Sequence, residues 1–113
     1  MRILLVENQE TFTRIVIGAF LTSHDVAVRS TLSSAIEELD ACDYDAALIT
    51  YELEDGNGTE LVRFLRQSGR EILIIGISAK DDENDLLVTA GATDACSKMK
   101  FDEIEVVLSK YMK

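Results

Sequence analysis

Residues 45–58 read Asp-Ala-Ala-Leu-Ile-Thr-Tyr-Glu-Leu-Glu-Asp-Gly-Asn-Gly, and the apolar first part of this stretch predicts the fold class. Residues 46–49 are apolar at every position. Because side chains alternate between the two faces of a strand, such a run fits a strand that is covered on both faces. Strands of this kind are usually parallel and have helices on each side. Residues 55–58 consist of Asp, Asn and Gly and predict a turn.

The same apolar pattern recurs on both sides of this stretch. Further short runs predict strands at residues 3–6, 26–28, 72–77 and 95–96. Between the strands, apolar residues recur at the spacing of a helix face, and the first such helix is expected over residues 10–22. The five predicted faces are Phe12, Ile15, Val16, Ala19 and Phe20; Ile36 and Leu39; Leu61, Phe64 and Leu65; Leu86, Leu87 and Ala90; and Ile104, Val107, Leu108 and Tyr111.

Strands and helices therefore alternate along the whole chain. This order predicts an α/β domain with a doubly wound parallel sheet of five strands, helices on both faces and right-handed crossovers. In such a sheet the usable crevice lies beyond the carboxyl ends of the strands, where the strand order reverses. The residues expected at that edge are Glu7, Asn8, Thr50, Ser78 and Lys98.

Several residues predict where the helices begin and end. Asn8 is a candidate cap for the first helix, and Ser34 with Glu37 has capping-box spacing for the second. The acids at 81–83 suit the start of the fourth helix, and Gly91 is expected to end it.

The composition excludes several classes of function. The 113 residues fit one domain over 1–113, with 21 acidic and 11 basic side chains and a net charge of −10. The charge is spread evenly and would repel phosphate backbones and anionic lipids, so no direct binding to nucleic acid or membranes is expected. The longest apolar run, residues 15–21, is too short to cross a bilayer, and the start of the chain does not resemble a secretory signal. A cytoplasmic location is expected.

The cysteine and histidine residues predict no further chemistry. Cys42 and Cys96 are 54 positions apart, which fits neither a zinc site nor a disulfide scaffold. Cys96 is expected in the core, Cys42 near a helix end without activation, and His24 exposed in a polar turn.

Four segments carry a resemblance to a known family. They are Arg2-Ile-Leu-Leu-Val-Glu7, residues 45–58, Ile74-Ile-Gly-Ile-Ser-Ala79 and Gly91-Ala-Thr-Asp-Ala-Cys-Ser-Lys98. In this order and spacing they resemble response-regulator receiver domains of the CheY-like family over essentially the whole chain. The resemblance implies a flavodoxin-like (βα)5 fold with strand order 2-1-3-4-5 and a role in two-component signal transduction.

The resemblance also implies a site, in which this chain departs from the family. The family binds Mg²⁺ through two acids after the first strand and an aspartate that ends the third, and that aspartate accepts a phosphoryl group. Here these positions are Glu7, Asn8 and Thr50, so the acceptor is missing. Threonine needs a base to become a nucleophile, and one carboxylate rarely suffices for Mg²⁺. Neither a catalytic residue nor a cofactor is expected, and Glu7 is only a weak metal candidate.

Other family positions are partly kept. Ser78 and Lys98 match the phosphate-contacting hydroxyl and lysine, whereas the aromatic switch position corresponds to Ala95. The chain has no proline, and the family's lysyl-proline bond, commonly cis, becomes Lys98-Met99, which is expected to be trans. With no aspartate at residue 50, a buried Glu7–Lys98 ion pair is expected instead of a metal site.

These observations favour a pseudo-receiver that is not an enzyme and acts through phosphorylation-independent protein contacts. The expected contact surface is the face of the fourth helix, fifth strand and fifth helix, at residues 82–112, and a homodimer is compatible with it. One alternative is phosphorylation at a displaced carboxylate, Glu52, Glu54 or Asp55, in a phosphorelay; modification of Thr50 by another kinase also stays open. A small-molecule binder is disfavoured because residues 7–13 lack the glycines of a phosphate loop.

Overall fold

The computed structural model describes residues 1–112 and shows the alternation that the sequence predicts. No helix in this part of the chain is long and apolar enough to cross a membrane. The elements are β1 (Arg2–Val6), α1 (Glu10–Phe20), β2 (Asp25–Arg29), α2 (Leu32–Ala41), β3 (Ala46–Ile49), β4 (Glu52–Leu53), β5 (Gly56–Asn57), α3 (Gly58–Gln67), β6 (Leu73–Gly76), α4 (Asp81–Ala90), β7 (Asp94–Ala95), a 3₁₀ helix (Lys98–Glu103) and α5 (Ile104–Ser109).

The main sheet has the order β2-β1-β3-β6-β7 with every pair parallel. Numbered without the short β4 and β5, this is the predicted order 2-1-3-4-5, so the fold prediction is confirmed. The register is continuous across the sheet, since Leu4 pairs with Ala27 and Ala47, and Ala47 pairs with Ile74. This register brings the carboxyl ends of the strands to one edge.

Each face of the sheet is covered by helices, as the apolar runs require. On β1, Ile3 and Leu5 pack towards α1 and α5, whereas Leu4 and Val6 pack towards α2, α3 and α4. All four of these side chains are fully buried. The strands are apolar at every position because each face of the sheet packs against its own hydrophobic core.

The stretch after β3 forms a small hairpin that the sequence pattern predicted only as a turn. β4 pairs with β5 in antiparallel fashion. The turn residue Asp55 accepts hydrogen bonds from the backbone amides of Leu32 at 2.7 Å and Ser33 at 3.0 Å. These bonds lower the pKa of the Asp55 carboxyl. The hairpin is thereby anchored to the first turn of α2.

Two of the predicted helix caps are wrong. The N-cap of α2 is Thr31, and its capping box is completed by the Ser34 side chain rather than by Glu37. The N-cap of α1 is Gln9, so Asn8 lies one position too early to cap it. Gly91, with φ +131°, does end α4 as predicted.

Some residues that were predicted on the buried faces of helices are exposed in the structure. Ile15 is 58% exposed, and Ala19 is also exposed, so the buried side of α1 is narrower than the sequence pattern suggested. Leu86 and Tyr111 are 49% and 40% exposed, whereas Leu87 is buried.

His24 is not exposed, contrary to the sequence prediction. Its side chain is only 4% exposed. Its Nε2 atom lies 2.5 Å from Glu105 Oε1, and its Nδ1 atom lies 3.3 Å from the amino terminus of Met1. A turn residue thus links the start of the chain to α5, a contact that local sequence could not indicate.

The two thiols differ in accessibility, which leads to a testable prediction. Cys96 is buried, and burial raises the pKa of its thiol to about 11, whereas Cys42 is partly exposed at the end of α2. A protonated thiol reacts poorly, so a disulfide reagent at pH 8 should label Cys42 quickly and Cys96 only after unfolding. Cys42→Ser should abolish the fast phase. A fast phase that survives in that variant would contradict the assignment.

Candidate functional site

Four chain segments meet at the carboxyl edge of the sheet. Thr50 directly follows β3, and its amide donates to the carbonyl of Val6 at 3.0 Å. Ser78 follows β6, and the amide of Lys98 donates to its carbonyl at 3.3 Å. An open pocket of about 290 Å³ lies between them, lined by Asn8, Gln9, Thr50, Glu52, Ser78, Ala79, Lys80, Glu83 and Lys98.

Glu7 follows β1 beside this pocket, and both of its carboxylate oxygens have close contacts. Its side chain is completely buried. Oε2 accepts hydrogen bonds from the amides of Asn8 and Gln9, each at 3.0 Å, and Oε1 lies 2.5 Å from Lys98 Nζ. The predicted Glu7–Lys98 ion pair is therefore confirmed.

Lys98 is held by three groups from the first part of the chain. Besides its ion pair with Glu7, its ammonium lies 3.2 Å from Gln9 Oε1 and 4.8 Å from the centre of the Phe12 ring. The Lys98 side chain is 11% exposed. These contacts direct its charge towards β1 and α1. The Lys98–Met99 peptide bond is trans, as the sequence predicted.

Ser78 is also engaged, by residues of α4 that the sequence analysis did not identify as site residues. Its backbone amide donates to Asn84 Oδ1 at 2.8 Å, and its carbonyl accepts from Asn84 Nδ2 at 2.9 Å. Its hydroxyl donates to Glu83 Oε1 and accepts from the amide of Lys80 at 3.1 Å. The spacing of six residues between Ser78 and Asn84, across a loop and a helix start, is no recognised motif.

Thr50, the residue that the family resemblance aligns with the acceptor, is buried. It is 4% exposed, and its carbonyl oxygen lies against Gly58, where an added Cβ would come within 2.0 Å of it. Gly58 also donates its amide to the carbonyl of Tyr51 at 2.7 Å. Ala95 is half-buried on β7 and paired with Gly76.

The residues at this edge do not fit a magnesium ion. Mg²⁺ prefers several carboxylate or carbonyl oxygens in octahedral geometry. The only carboxylate from the expected ligand set is Glu7, and its oxygens are occupied by Lys98 and two amides. Across residues 1–112, three or more acidic, histidine or cysteine side chains nowhere cluster in a way that could hold a metal.

The three displaced carboxylates lie in different environments. Glu52 is exposed and lines the pocket beside Thr50. Glu54 lines a neighbouring cleft. Asp55 points to the N-terminus of α2 and uses both oxygens there. Only Glu52 shares the pocket with Ser78 and Lys98.

The surface formed by α4, β7 and α5 exposes several apolar side chains. Leu86 and Val88 are 49% and 42% exposed on α4, and Val106 is 62% exposed on α5. Met112 is also exposed, whereas Leu87 is buried. Met99 and Tyr111 are exposed on the same part of the chain.

Comparison with known proteins identifies the class. The family model described as "Response regulator receiver domain" matches residues 3–109. The chain therefore belongs to the response regulator receiver domain family, whose members are signalling modules of two-component systems. None of the curated proteins compared with the sequence matches it significantly.

Solved structures with the same fold are similar over nearly the whole chain. The response regulator TrrA from Thermotoga maritima, solved in complex with Mg²⁺-BeF, is 18% identical with a TM-score of 0.88, and the match covers 98% of each chain. The receiver domain of the TMAO respiratory system regulator TorR is 24% identical with a TM-score of 0.84, covering 96% of this chain and 93% of that one. A CheY-like receiver domain protein from Methanospirillum hungatei is 19% identical with a TM-score of 0.82, covering 96% and 91%. These similarities establish the fold.

Proposed function

We propose that this chain is a pseudo-receiver, which signals through protein contacts without being phosphorylated. The observation that supports this most strongly is the residue at the end of β3, where Thr50 replaces the acceptor that the family resemblance implies. A buried neutral hydroxyl is a poor nucleophile unless a base deprotonates it.

The engagement of the remaining site residues supports the same proposal. The charge of Lys98 is balanced by Glu7, and the hydroxyl of Ser78 donates to Glu83. An incoming phosphoryl group would have to break both contacts, and it would face the carboxylates of Glu52 and Glu83 in the same pocket. The site is thus satisfied internally.

The proposed output is a contact made by the face of α4, β7 and α5. This face exposes Leu86, Val88 and Val106 together with Tyr111 and Met112. Exposed apolar side chains on these elements suit a protein partner, and the net charge of −10 disfavours a nucleic acid. A homodimer through this face is a testable form of the contact, and analytical ultracentrifugation would detect it.

The first test is exposure of the unmodified chain to phosphoryl donors. Acetyl phosphate or beryllofluoride with Mg²⁺ should leave the amide spectrum unchanged and add no mass, because no acceptor carboxylate occupies residue 50. The regulator TrrA, whose structure holds Mg²⁺-BeF, is a suitable positive control. Clear shifts at Glu7, Thr50 and Ser78, or transfer of phosphate from a histidine kinase, would refute the proposal.

A second candidate function is phosphorylation at a displaced carboxylate, and the position of Glu52 favours it over Glu54 and Asp55. Glu52 lines the pocket that contains Ser78 and Lys98, whereas Asp55 has both oxygens engaged by amides of α2. An acyl phosphate on Glu52 would be labile to hydroxylamine and absent from Glu52→Gln. A hydroxylamine-resistant adduct on Thr50 would instead indicate a serine/threonine kinase as the donor.

A further inference from the structure

The loop between β6 and α4 is fastened to the first turn of α4 by side chains of that helix. Asn84 bonds both backbone groups of Ser78, and Glu83 accepts the hydrogen bond of the Ser78 hydroxyl. The same hydroxyl oxygen accepts from the amide of Lys80, which is the N-cap of α4. Every hydrogen-bonding group of Ser78 therefore has a partner in this loop or in α4. The carbonyl of Ser78 also accepts a second hydrogen bond, from the amide of Lys98.

We propose that Glu83 is an internal anion that occupies the phosphate-contacting hydroxyl of Ser78 and thereby excludes an external anion from the pocket. This inference rests on the proposed pseudo-receiver function and adds a second reason for it, separate from Thr50. It assigns Glu83 the role of a positioning residue for the β6–α4 loop.

The position of Glu83 in the helix favours this role. It lies in the first turn of α4, where a carboxylate is stabilised by the positive end of the helix dipole. A hydrogen bond from a hydroxyl to an ionised carboxylate is stronger than one between neutral groups. The carboxylate therefore needs no external cation to stay at Ser78.

The negative charge of Glu83 also explains why an external anion would be excluded from the pocket. An anion that bonded the Ser78 hydroxyl would lie within a few ångströms of the Glu83 carboxylate, and like charges at that separation repel strongly in a partly buried site. Two lysines line the pocket: Lys98 is paired with Glu7, and Lys80 bonds Ser78 through its backbone amide. Restoring an aspartate at residue 50 would therefore not be sufficient to restore anion binding.

A consequence concerns the surface of α4. Because Glu83 and Asn84 fix the start of α4 to the loop, the exposed side chains of Leu86 and Val88 on this helix are held in one position relative to the loop. The conformation of the contact surface is then the same at all times and does not depend on a bound phosphoryl group.

The first measurement is amide hydrogen exchange at Ser78 and Lys80. In Glu83→Ala, exchange at both amides should be faster by about tenfold or more, because the hydroxyl loses its acceptor and the loop opens more often. Asp82→Ala is the matched control, since Asp82 is an exposed acid in the same turn of α4. Exchange in the control should stay within about twofold of the unmodified protein. Equal exchange in the two variants would overturn the positioning role.

The second measurement tests exclusion, with Thr50→Asp as the background. The probe is beryllofluoride with Mg²⁺, followed by amide shifts and by fluorine resonance. The double variant T50D/E83Q should bind the probe at least about tenfold more tightly than T50D/D82N, although both have lost one acidic charge from the same turn. Equal affinities in the two double variants, or no binding in either, would overturn the exclusion.

These outcomes are separate from the test of the proposed function. Phosphoryl uptake by the unmodified chain would refute the pseudo-receiver proposal. Equal affinity of the two T50D variants for the probe would refute the role of Glu83 and leave the missing acceptor as the explanation for an inactive site.

Discussion

Replacing Lys98 with methionine should lower the free energy of unfolding by about 3 kcal/mol, because it leaves the Glu7 carboxylate buried without its cation. The Glu7 side chain has no solvent exposure, and Lys98 Nζ is 2.5 Å from it. The two amides that also bond Glu7 offset only part of the lost attraction. Urea unfolding followed by circular dichroism measures the change.

The double variant Glu7→Gln with Lys98→Met tests whether the loss comes from the unpaired charge. Removing both partners should restore stability to within about 1 kcal/mol of the unmodified protein, since an uncharged pair needs no compensation. Lys110→Met, at an exposed lysine, is the control for the loss of one positive charge. A drop below about 1 kcal/mol in the Lys98 variant would show that the ion pair contributes little.

This ion pair also accounts for the burial of two charged groups at the carboxyl edge of the sheet, beside Thr50. Lys98 and Glu7 are the two ionisable groups from the family pattern that remain, and each is the nearest opposite charge of the other at this edge of the sheet. A buried charge without a partner would be costly, so the pairing stabilises this edge of the sheet.

The main elements of the fold could be predicted from the sequence because they depend on long-range burial that leaves a local pattern. The runs at 3–6 and 46–49 are apolar at every position since both sheet faces are covered, and the structure buries all of them. The β4–β5 hairpin could not be predicted, because two-residue strands such as Glu52–Leu53 show no periodicity. The N-cap of α2 was predicted wrongly for a related reason. Thr31, Ser34 and Glu37 all carry side chains that can accept a hydrogen bond, and the backbone geometry makes Thr31 the N-cap.

Of the contacts in the candidate site, only the Glu7–Lys98 ion pair could be predicted, because these two residues have opposite charges and follow strands that end at the same edge of the sheet. Glu7 and Lys98 follow different strands, and the topology alone brings them together. The contacts of Ser78 with Glu83 and Asn84 could not be predicted, since acids at the start of a helix are normally solvated and stabilise the helix end. The signal available in the sequence was the spacing of Asn84, which precedes Leu87 by three residues and so lies on the same helix face.

Replacing Gly58 with alanine should lower the free energy of unfolding by about 3 kcal/mol, because the added methyl group has no space. A Cβ at this position would lie 2.0 Å from the carbonyl oxygen of Thr50 and 2.9 Å from Ile49 Cγ2. The first contact is with backbone that belongs to the end of β3, so it cannot be relieved by rotating a side chain. Thermal and urea unfolding should both show the loss.

Gly18→Ala is the matched control for the same chemical change. Gly18 lies inside α1, and an added Cβ would meet no atom within 4 Å. The free energy of unfolding of that variant should be higher by about 0.5–1 kcal/mol, because alanine has a higher helix propensity than glycine. Amide shifts in Gly58→Ala should centre on Thr50 and Tyr51, since the carbonyl of Thr50 must move away from α3. Equal stability of the two variants would show that the close approach of α3 to the end of β3 does not exist in solution.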